Sequence, residues 1–324
     1  MRIITVNRND AGQRLDRFLM KAVPALPPGL RSKYIRTKAV KLNGKRTEAS
    51  ARIAEGDEIA LYINDEFFMT SSDDASFTLV SRPPAILYED GEILLAVKEP
   101  GLSVHEDESG NPDTLINRIK SYCVRTGAWE PEKENSFAPA LANRIDRNTG
   151  GIVIACKSAE ALREMNALIR DRKIDKYYLA AVCGDPPPAG TLKGYIRKRE
   201  SENRVDVFDS PAPGARTAVT GFRVLAREDG LALCECRLFT GRTHQIRAQM
   251  AHAGFPLLGD GKYGRADPRQ KHQALYSYKL IFSDVPEDSP LHYLKGRVFV
   301  WQDVDFLKEF FPGYYSAQKK KRSD

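Results

Sequence analysis

Two globular domains of mixed helices and strands are predicted for this chain, and three observations predict them. The first is size and composition: 324 residues, 42% apolar and 29% charged, can bury a sizeable core and divide in two. The second is a reversal of charge. Residues 31–46 carry Arg31, Lys33, Arg36, Lys38, Lys41, Lys45 and Arg46 without one acid. Residues 53–81 carry Glu55, Asp57, Glu58, Asp65, Glu66, Asp73 and Asp74 without one base, so a basic module is followed by an acidic connector. The third is periodicity, which switches between the spacing of amphipathic helices and the short apolar runs of buried strands.

The elements follow in order. Asp10-Ala11-Gly12-Gln13 has the pattern of a capping box, and Leu15, Phe18, Leu19 and Ala22 then fall at helical spacing until Pro24, Pro27 and Pro28 end the helix. A second short helix is predicted over residues 32–38. Residues 40–46 alternate around Asn43-Gly44, the pair that a tight hairpin turn selects, and a strand over 58–63 follows the Gly56-Asp57 turn. Residues 64–82 have no period and read as a linker. The boundaries are therefore 1–66 for a first domain, 67–84 for a linker, 85–318 for a second domain and 319–324 for a basic tail. In the second domain, residues 93–97, 152–156, 177–183 and 231–238 read as buried strands. Ser158 caps a helix lined by Leu162, Met165, Leu168 and Ile169. Residues 243–253 read as a helix ended by Gly254, with His244 and Arg247 on one face.

Several classes are excluded. The longest apolar run, residues 177–183, is far shorter than the roughly 20 residues of a membrane helix. The N-terminus lacks the apolar core of a secretory signal, so a cytoplasmic monomer with no membrane role is expected. The five cysteines include no Cys-x-x-Cys pair, and Cys234 and Cys236 share a strand face with Ala232 and Leu238, as packing residues do. His244 and His252 lie roughly 80° apart around a helix, so neither they nor the cysteines form a metal set, and no metal or cofactor is expected. The net charge of +7 favours an anionic partner.

The chemistry concentrates in Asn143-Arg144-Ile145-Asp146-Arg147-Asn148-Thr149-Gly150-Gly151, which sets one carboxylate between two arginines on a turn leading into a strand. Alone, Asp146 is the kind of residue that turns select. Two further blocks change its reading: Lys176-Tyr177-Tyr178-Leu179-Ala180-Ala181-Val182-Cys183-Gly184, and Thr240-Gly241-Arg242-Thr243-His244-Gln245-Ile246-Arg247, the latter followed by Gly254-Phe255-Pro256-Leu257-Leu258-Gly259-Asp260 and Tyr263-Gly264. In this order they resemble the motifs of the RluA-type RNA pseudouridine synthases, over about residues 85–282. Asn143 stands where that family has His, Ile145 where it has Leu and Gly150 where it has Ser. Lys98-Glu99-Pro100-Gly101 is shifted by one place, and Tyr276 occupies a position where His is common. Arg14-Leu15-Asp16-Arg17 and Val40-Lys41-Leu42-Asn43-Gly44, with the helix order around them, resemble the S4 RNA-binding domain over about residues 12–63.

The resemblance implies an α+β fold with a central mixed, largely antiparallel sheet flanked by helices. It implies an isomerase that breaks the N1–C1′ bond of a uridine, turns the uracil and rejoins it through C5, without a cofactor. Asp146 matches the catalytic carboxylate, and Arg247 the cation that offsets its desolvation. Tyr178 matches the aromatic residue that stacks on the base and whose hydroxyl could take the C5 proton, and Arg144 the residue that helps displace the base from its stack. Arg147, Arg242 and His244 are expected to contact RNA. So are Arg31, Lys33, Arg36, Lys38, Lys41, Lys45 and Arg46 of the first domain, through phosphates. Large-subunit ribosomal RNA is the expected substrate and tRNA the alternative. Two rivals from other classes are a catalytically silent RNA-binding or ribosome-assembly factor and a glycoside hydrolase, which would need a partner acid that no motif supplies.

Overall fold

The computed structural model describes residues 1–68, 72–106, 110–199 and 202–320. Residues 1–63 fold around their own apolar core. Strand β1 (Arg2–Thr5), helices α1 (Leu15–Ala22) and α2 (Pro28–Arg36), and strands β2 (Val40–Leu42), β3 (Lys45–Arg46) and β4 (Glu58–Leu61) make a four-stranded antiparallel sheet in the order β1-β4-β2-β3. Leu15, Phe18 and Leu19 of α1 and Ile35 of α2 bury against Val40, Ile59 and Leu61. The hairpin turns on Asn43 and Gly44, both at positive φ (51° and 72°), the conformation that Asn-Gly supplies at little steric cost.

Three details differ from the sequence reading. Asp10 caps no helix: Arg14 precedes α1 with no side-chain cap, and Asp10 is fully buried elsewhere. Helix α2 begins at Pro28, four residues before the predicted start, because proline's fixed φ and missing N–H suit a helix's first turn. Strand β1 was not anticipated, since four mostly exposed residues give little burial alternation.

The second part carries an eleven-stranded mixed sheet. Its elements are β5 (Ala85–Glu89), β6 (Ile93–Lys98), α3 (Leu115–Arg125), β7 (Ala140–Leu141), β8 (Gly150–Cys156), α4 (Ala159–Arg170), β9 (Ile174–Cys183), β10 (Ala189–Arg199), β11 (Arg204–Phe208), β12 (Arg216–Glu228), β13 (Leu231–Leu238), α5 (Gln245–His252), β14 (Leu275–Phe282), β15 (Val298–Val300), α6 (Asp305–Phe310) and α7 (Pro312–Lys320). The main order is β11-β10-β12-β13-β9-β14-β8-β6-β5, with β15 on β14 and β7 on β8. Every pairing is antiparallel except β8 with β14. This is the α+β arrangement expected.

Alternation along the strands assigns the faces. On β9 and β13, Tyr178, Ala180, Ala232, Cys234 and Cys236 pack beneath Ile246 and Met250 of α5. Leu179, Ala181, Leu231 and Leu233 face the other way, onto Phe306, Leu307 and Phe310 of α6. Helix α4 begins as predicted, with Ser158 Oγ accepting from Ala161 N at 3.1 Å. No helix among the described residues is long and apolar enough to cross a membrane.

The segment read as a linker packs against the second part. Its described part forms 3-10 turns, Phe77 packs edge-on against Trp129 at 5.4 Å, and Ser121 Oγ donates to the carbonyl of buried Val80. The two parts also meet directly. Asp10 accepts from Asn135 Nδ2 (2.7 Å) and Ser136 Oγ (2.5 Å), while Asn9 Oδ1 accepts from Ala159 N at the start of α4. Buried polar contacts of this kind hold an orientation. Of the predicted basic tail, Lys319 ends α7 and residues 321–324 lie outside the described residues.

Candidate active site

The loop between β7 and β8 presents Asp146. It is clamped at its base, where Asn143 Oδ1 accepts from Ile154 N at 2.7 Å, and at its far side, where the Asp146 carbonyl accepts from Thr149 N at 3.0 Å. The next carbonyl, of Arg147, accepts from Lys98 Nζ (2.7 Å) and Gly101 N (2.9 Å). Lys98, almost fully buried, also donates to the carbonyls of Glu99 and Leu102, so one ammonium ties the end of β6 to the Asp146 loop. Burial pushes Lys98 down to about 7, against the attraction of Asp146 and Glu99.

Behind the loop, β8 runs so close to β14 that side chains are excluded. A Cβ on Gly151 (φ 120°) would collide with the Ser277 backbone, and one on Gly150 would fall inside the Tyr276 ring. These glycines admit β14; they do more than shape a turn.

Helix α5 supplies the partner. Arg247 is buried and fully engaged: Nη1 donates to Asp146 Oδ2 at 2.9 Å, while Nε and Nη2 grip Asp260 at 2.7 and 2.9 Å. Its guanidinium also lies 5.3 Å above the Tyr263 ring. Burial would lower the Arg247 pKa, but the hydrogen bonds and charges of Asp260 and Asp146 leave it raised. Burial would likewise raise Asp260, yet Arg247 and the N–H groups of Lys262 and Tyr263 hold its carboxyl below the ordinary range.

Helix α5 starts at Gln245, not at residue 243. His244 precedes it in the left-handed region (φ 53°), which turns its ring toward Asp146, with Nε2 3.8 Å from Oδ2 and Nδ1 2.8 Å from the Tyr263 hydroxyl. Burial keeps its imidazole below the usual range, against the pull of Asp146. Gln245 points inward and braces the loop, its Oε1 accepting from Thr240 Oγ1 and Arg242 N.

Asp146, His244, Gln245 and Arg247 line one cleft of about 1000 Å³. Tyr178 stands on its wall, and burial pushes its hydroxyl up to about 12 although a hydrogen bond with Ser277 pulls the other way. Arg144, Arg147, Arg242 and His244 also line it; Arg144 and Arg147 are exposed, Arg147 Nε donates to the Gly101 carbonyl and Arg242 Nε to that of Thr217. Asp146, Tyr178 and Arg247 are thus brought together. The basic residues of the first domain belong to its own surface. Lys33, Arg36, Lys38, Lys45 and Arg46 are exposed, and Lys41 lies over the Tyr62 ring. Arg31 is half-buried, donating to the Leu26 carbonyl, and is the least available.

Asp260, Tyr263, Lys98 and Lys176 stand in the blocks read from the sequence, but no role is assigned to them there. Lys176, which opens the Lys176-to-Gly184 block, stands two residues before Tyr178 on the same strand face and lines the cleft.

Comparison with known proteins agrees. A model of the family "RNA pseudouridylate synthase" matches residues 92–252. An uncharacterized RNA pseudouridine synthase of Mycoplasma genitalium is 33% identical over 286 residues, covering 86% of this chain and 88% of the relative. Ribosomal large subunit pseudouridine synthase D of Nitrosomonas europaea is 26% identical over 92% of this chain and 83% of its own. Synthase C of Rickettsia bellii is 29% identical over 87% and 93%. Among solved structures, human RNA pseudouridylate synthase domain containing 4 aligns with a TM-score of 0.51 at 21% identity, covering 68% of this chain and 96% of that one, which supports the fold.

Proposed function

This chain belongs to the RNA pseudouridine synthase family, and on that premise we propose that it converts uridine to pseudouridine in large-subunit ribosomal RNA with Asp146 as the reacting carboxylate. The observation that carries the assignment is the Asp146–Arg247–Asp260 bridge in a cleft walled by Tyr178. Two relatives named as large-subunit enzymes, each matched over most of its length, support the ribosomal substrate.

The residues divide the work. Asp146 acts on the ribose as the N1–C1′ bond breaks, and RNA seated over the open cleft would keep water from the intermediate. The uracil turns, C5 bonds to C1′, the C5 proton leaves and N1 gains one, so the reaction is an isomerisation. Arg247 pairs with the carboxylate and orients it through Oδ2. Tyr178 is assigned to stacking on the base. The sequence also suggested its hydroxyl as acceptor of the C5 proton, but a buried, neutral phenol is a weak base. Arg144 and Arg147, exposed at the cleft, serve to displace the base and hold phosphate, and flipping is required because the base must rotate. Residues 1–66 serve as an S4-like RNA-binding domain, through Lys33, Arg36, Lys38, Lys45 and Arg46.

A glycoside hydrolase reading fares worse. Asp260, bridged to Asp146 through Arg247, is held ionised by that arginine, and Glu106, the second carboxyl lining the cleft, is held below its ordinary range by hydrogen bonds from Ser76 and Asn117, so neither is poised as a general acid. The deciding experiment maps pseudouridines in total RNA from cells with and without the gene. A site lost from large-subunit RNA supports the proposal; a site lost from tRNA alone replaces the substrate, and no lost site overturns the activity.

A further inference from the structure

Asp146 is held through one oxygen. Arg247 Nη1 lies 2.9 Å from Oδ2, and His244 Nε2 approaches the same Oδ2 at 3.8 Å. Among the described residues Oδ1 accepts no hydrogen bond. His244 is in turn held from behind, because Tyr263 Oη lies 2.8 Å from Nδ1 and also accepts from Val205 N of β11 at 2.8 Å.

This chain of contacts selects a tautomer. Val205 has only an N–H to offer, so the phenol oxygen is an acceptor there and its one proton is free to go to Nδ1. The imidazole proton then sits on Nε2, facing Asp146. In the opposite tautomer the Tyr263 oxygen would accept two N–H groups, its own proton would lack an acceptor among the described residues, and the Nε2 lone pair would face a carboxylate. Burial, which keeps His244 neutral, supports the same state. The left-handed backbone at His244, uncommon for a residue with a side chain, aims the ring.

We propose that Tyr263 is a positioning residue: by fixing His244 as the Nε2–H tautomer it turns an N–H dipole toward Oδ2 of Asp146, beyond hydrogen-bond distance at 3.8 Å, while Arg247 bonds that same oxygen, leaving Oδ1 as the oxygen that reacts at the ribose. The inference rests on Asp146 being the reacting carboxylate. Tyr263 is well placed to be rigid, since its N–H donates to Asp260, the anchor of Arg247, and the neighbouring Lys262 Nζ donates to the Asn203 carbonyl beside β11. One turn thus positions both groups that face Oδ2.

The test uses the full chain with ¹⁵N-labelled histidine, the His244 signals being identified by their loss in His244→Gln. The expected result at pH 7 is a protonated Nε2 and a bare Nδ1 in the wild type, and a mixture of tautomers in Tyr263→Phe. On an unmodified large-subunit RNA transcript, Tyr263→Phe should lower kcat about tenfold with KM within about twofold, as loss of an interaction felt mainly in the transition state does. In the His244→Gln background the same change should cost nothing more. A protonated Nδ1 in the wild type overturns the proposal, as does an equal kcat loss with and without His244. Full turnover by Asp146→Asn would instead remove the catalytic reading, and the tautomer result would be read independently of it.

Discussion

A half-buried carboxylate at the cleft and a buried one on the opposite face of the same sheet show the contrast, and only the first is left with something to do. Glu235 of β13 points away from the cleft and is 5% exposed. Its Oε1 accepts from Tyr278 Oη and from Lys279 Nζ at 2.6 Å, and its Oε2 from Arg223 Nε at 2.6 Å. Asp146 is 24% exposed, and its one hydrogen-bond donor among the described residues, Arg247, is shared with Asp260. A carboxylate with charged or hydroxyl donors on both oxygens is a rivet, because neither oxygen is left without a partner. One held by a single oxygen at the wall of a cleft is oriented yet available. Neighbouring tyrosines divide the same way: Tyr178 lines the cleft, whereas Tyr177 lies under the Lys279 ammonium at 4.1 Å on the back.

The largest expected effect comes from removing each charge in turn. Asp146→Asn should abolish turnover, by more than about 10⁴-fold, with unchanged circular dichroism and largely retained RNA binding, since shape survives and reactivity does not. Glu235→Gln should do the reverse, keeping most activity while losing about 2–4 kcal/mol of stability as its cations lose their counter-charge. Similar damage to activity from both would erase the distinction.

The arginines sharpen it next. Arg247→Met leaves Asp146 and Asp260 facing each other without a cation and should lower kcat by about 10²-fold or more. Arg223, whose side chain is 62% exposed, holds Glu235 from the rim, and Arg223→Met should cost under about 1 kcal/mol with no kinetic effect. Single-turnover rates and urea midpoints for the two variants give the comparison directly.

How much of this was legible follows from where each contact lies along the chain. Asp146, Tyr178 and Arg247 stand in contiguous blocks whose charges and spacing show in the sequence. Asp260 completes the same bridge but sits in a Gly-Asp turn, where an acid is ordinary. Asp10 looked like a cap because its partners, Asn135 and Ser136, are remote in sequence. Arg31 counted as one of seven bases until its side chain turned inward. Gly150 and Tyr276 appeared as separate departures, yet β8 and β14 set them face to face in register, and the ring takes the space a larger residue at 150 would need. Gly150→Ser should therefore destabilise by about 1–3 kcal/mol through overpacking, and Tyr276→His should recover part of that loss in a double-mutant cycle. Additive costs would show that the two positions are not coupled.

The smallest effect separates the two faces by pH. Burial opposes the ionisation of Glu235, but Lys279, Tyr278 and Arg223 hold its carboxyl below the ordinary 4.5. A group depressed in the folded state binds more protons when unfolded, so its contribution is complete above about pH 4.5 and is lost as the pH falls through the folded value. Glu235→Gln cannot titrate and should flatten that acid decline, by a slope of less than about one proton per molecule. Asp260, also depressed, should contribute in the same sense from 3.8 downward, and Asp260→Asn should flatten the curve there while lowering activity at every pH by loosening Arg247. Urea unfolding between about pH 3 and 6, with activity measured on the same samples, separates them. Glu235→Gln should change the stability slope alone, and a matching shift in its activity profile would show that the back of the sheet is not merely structural.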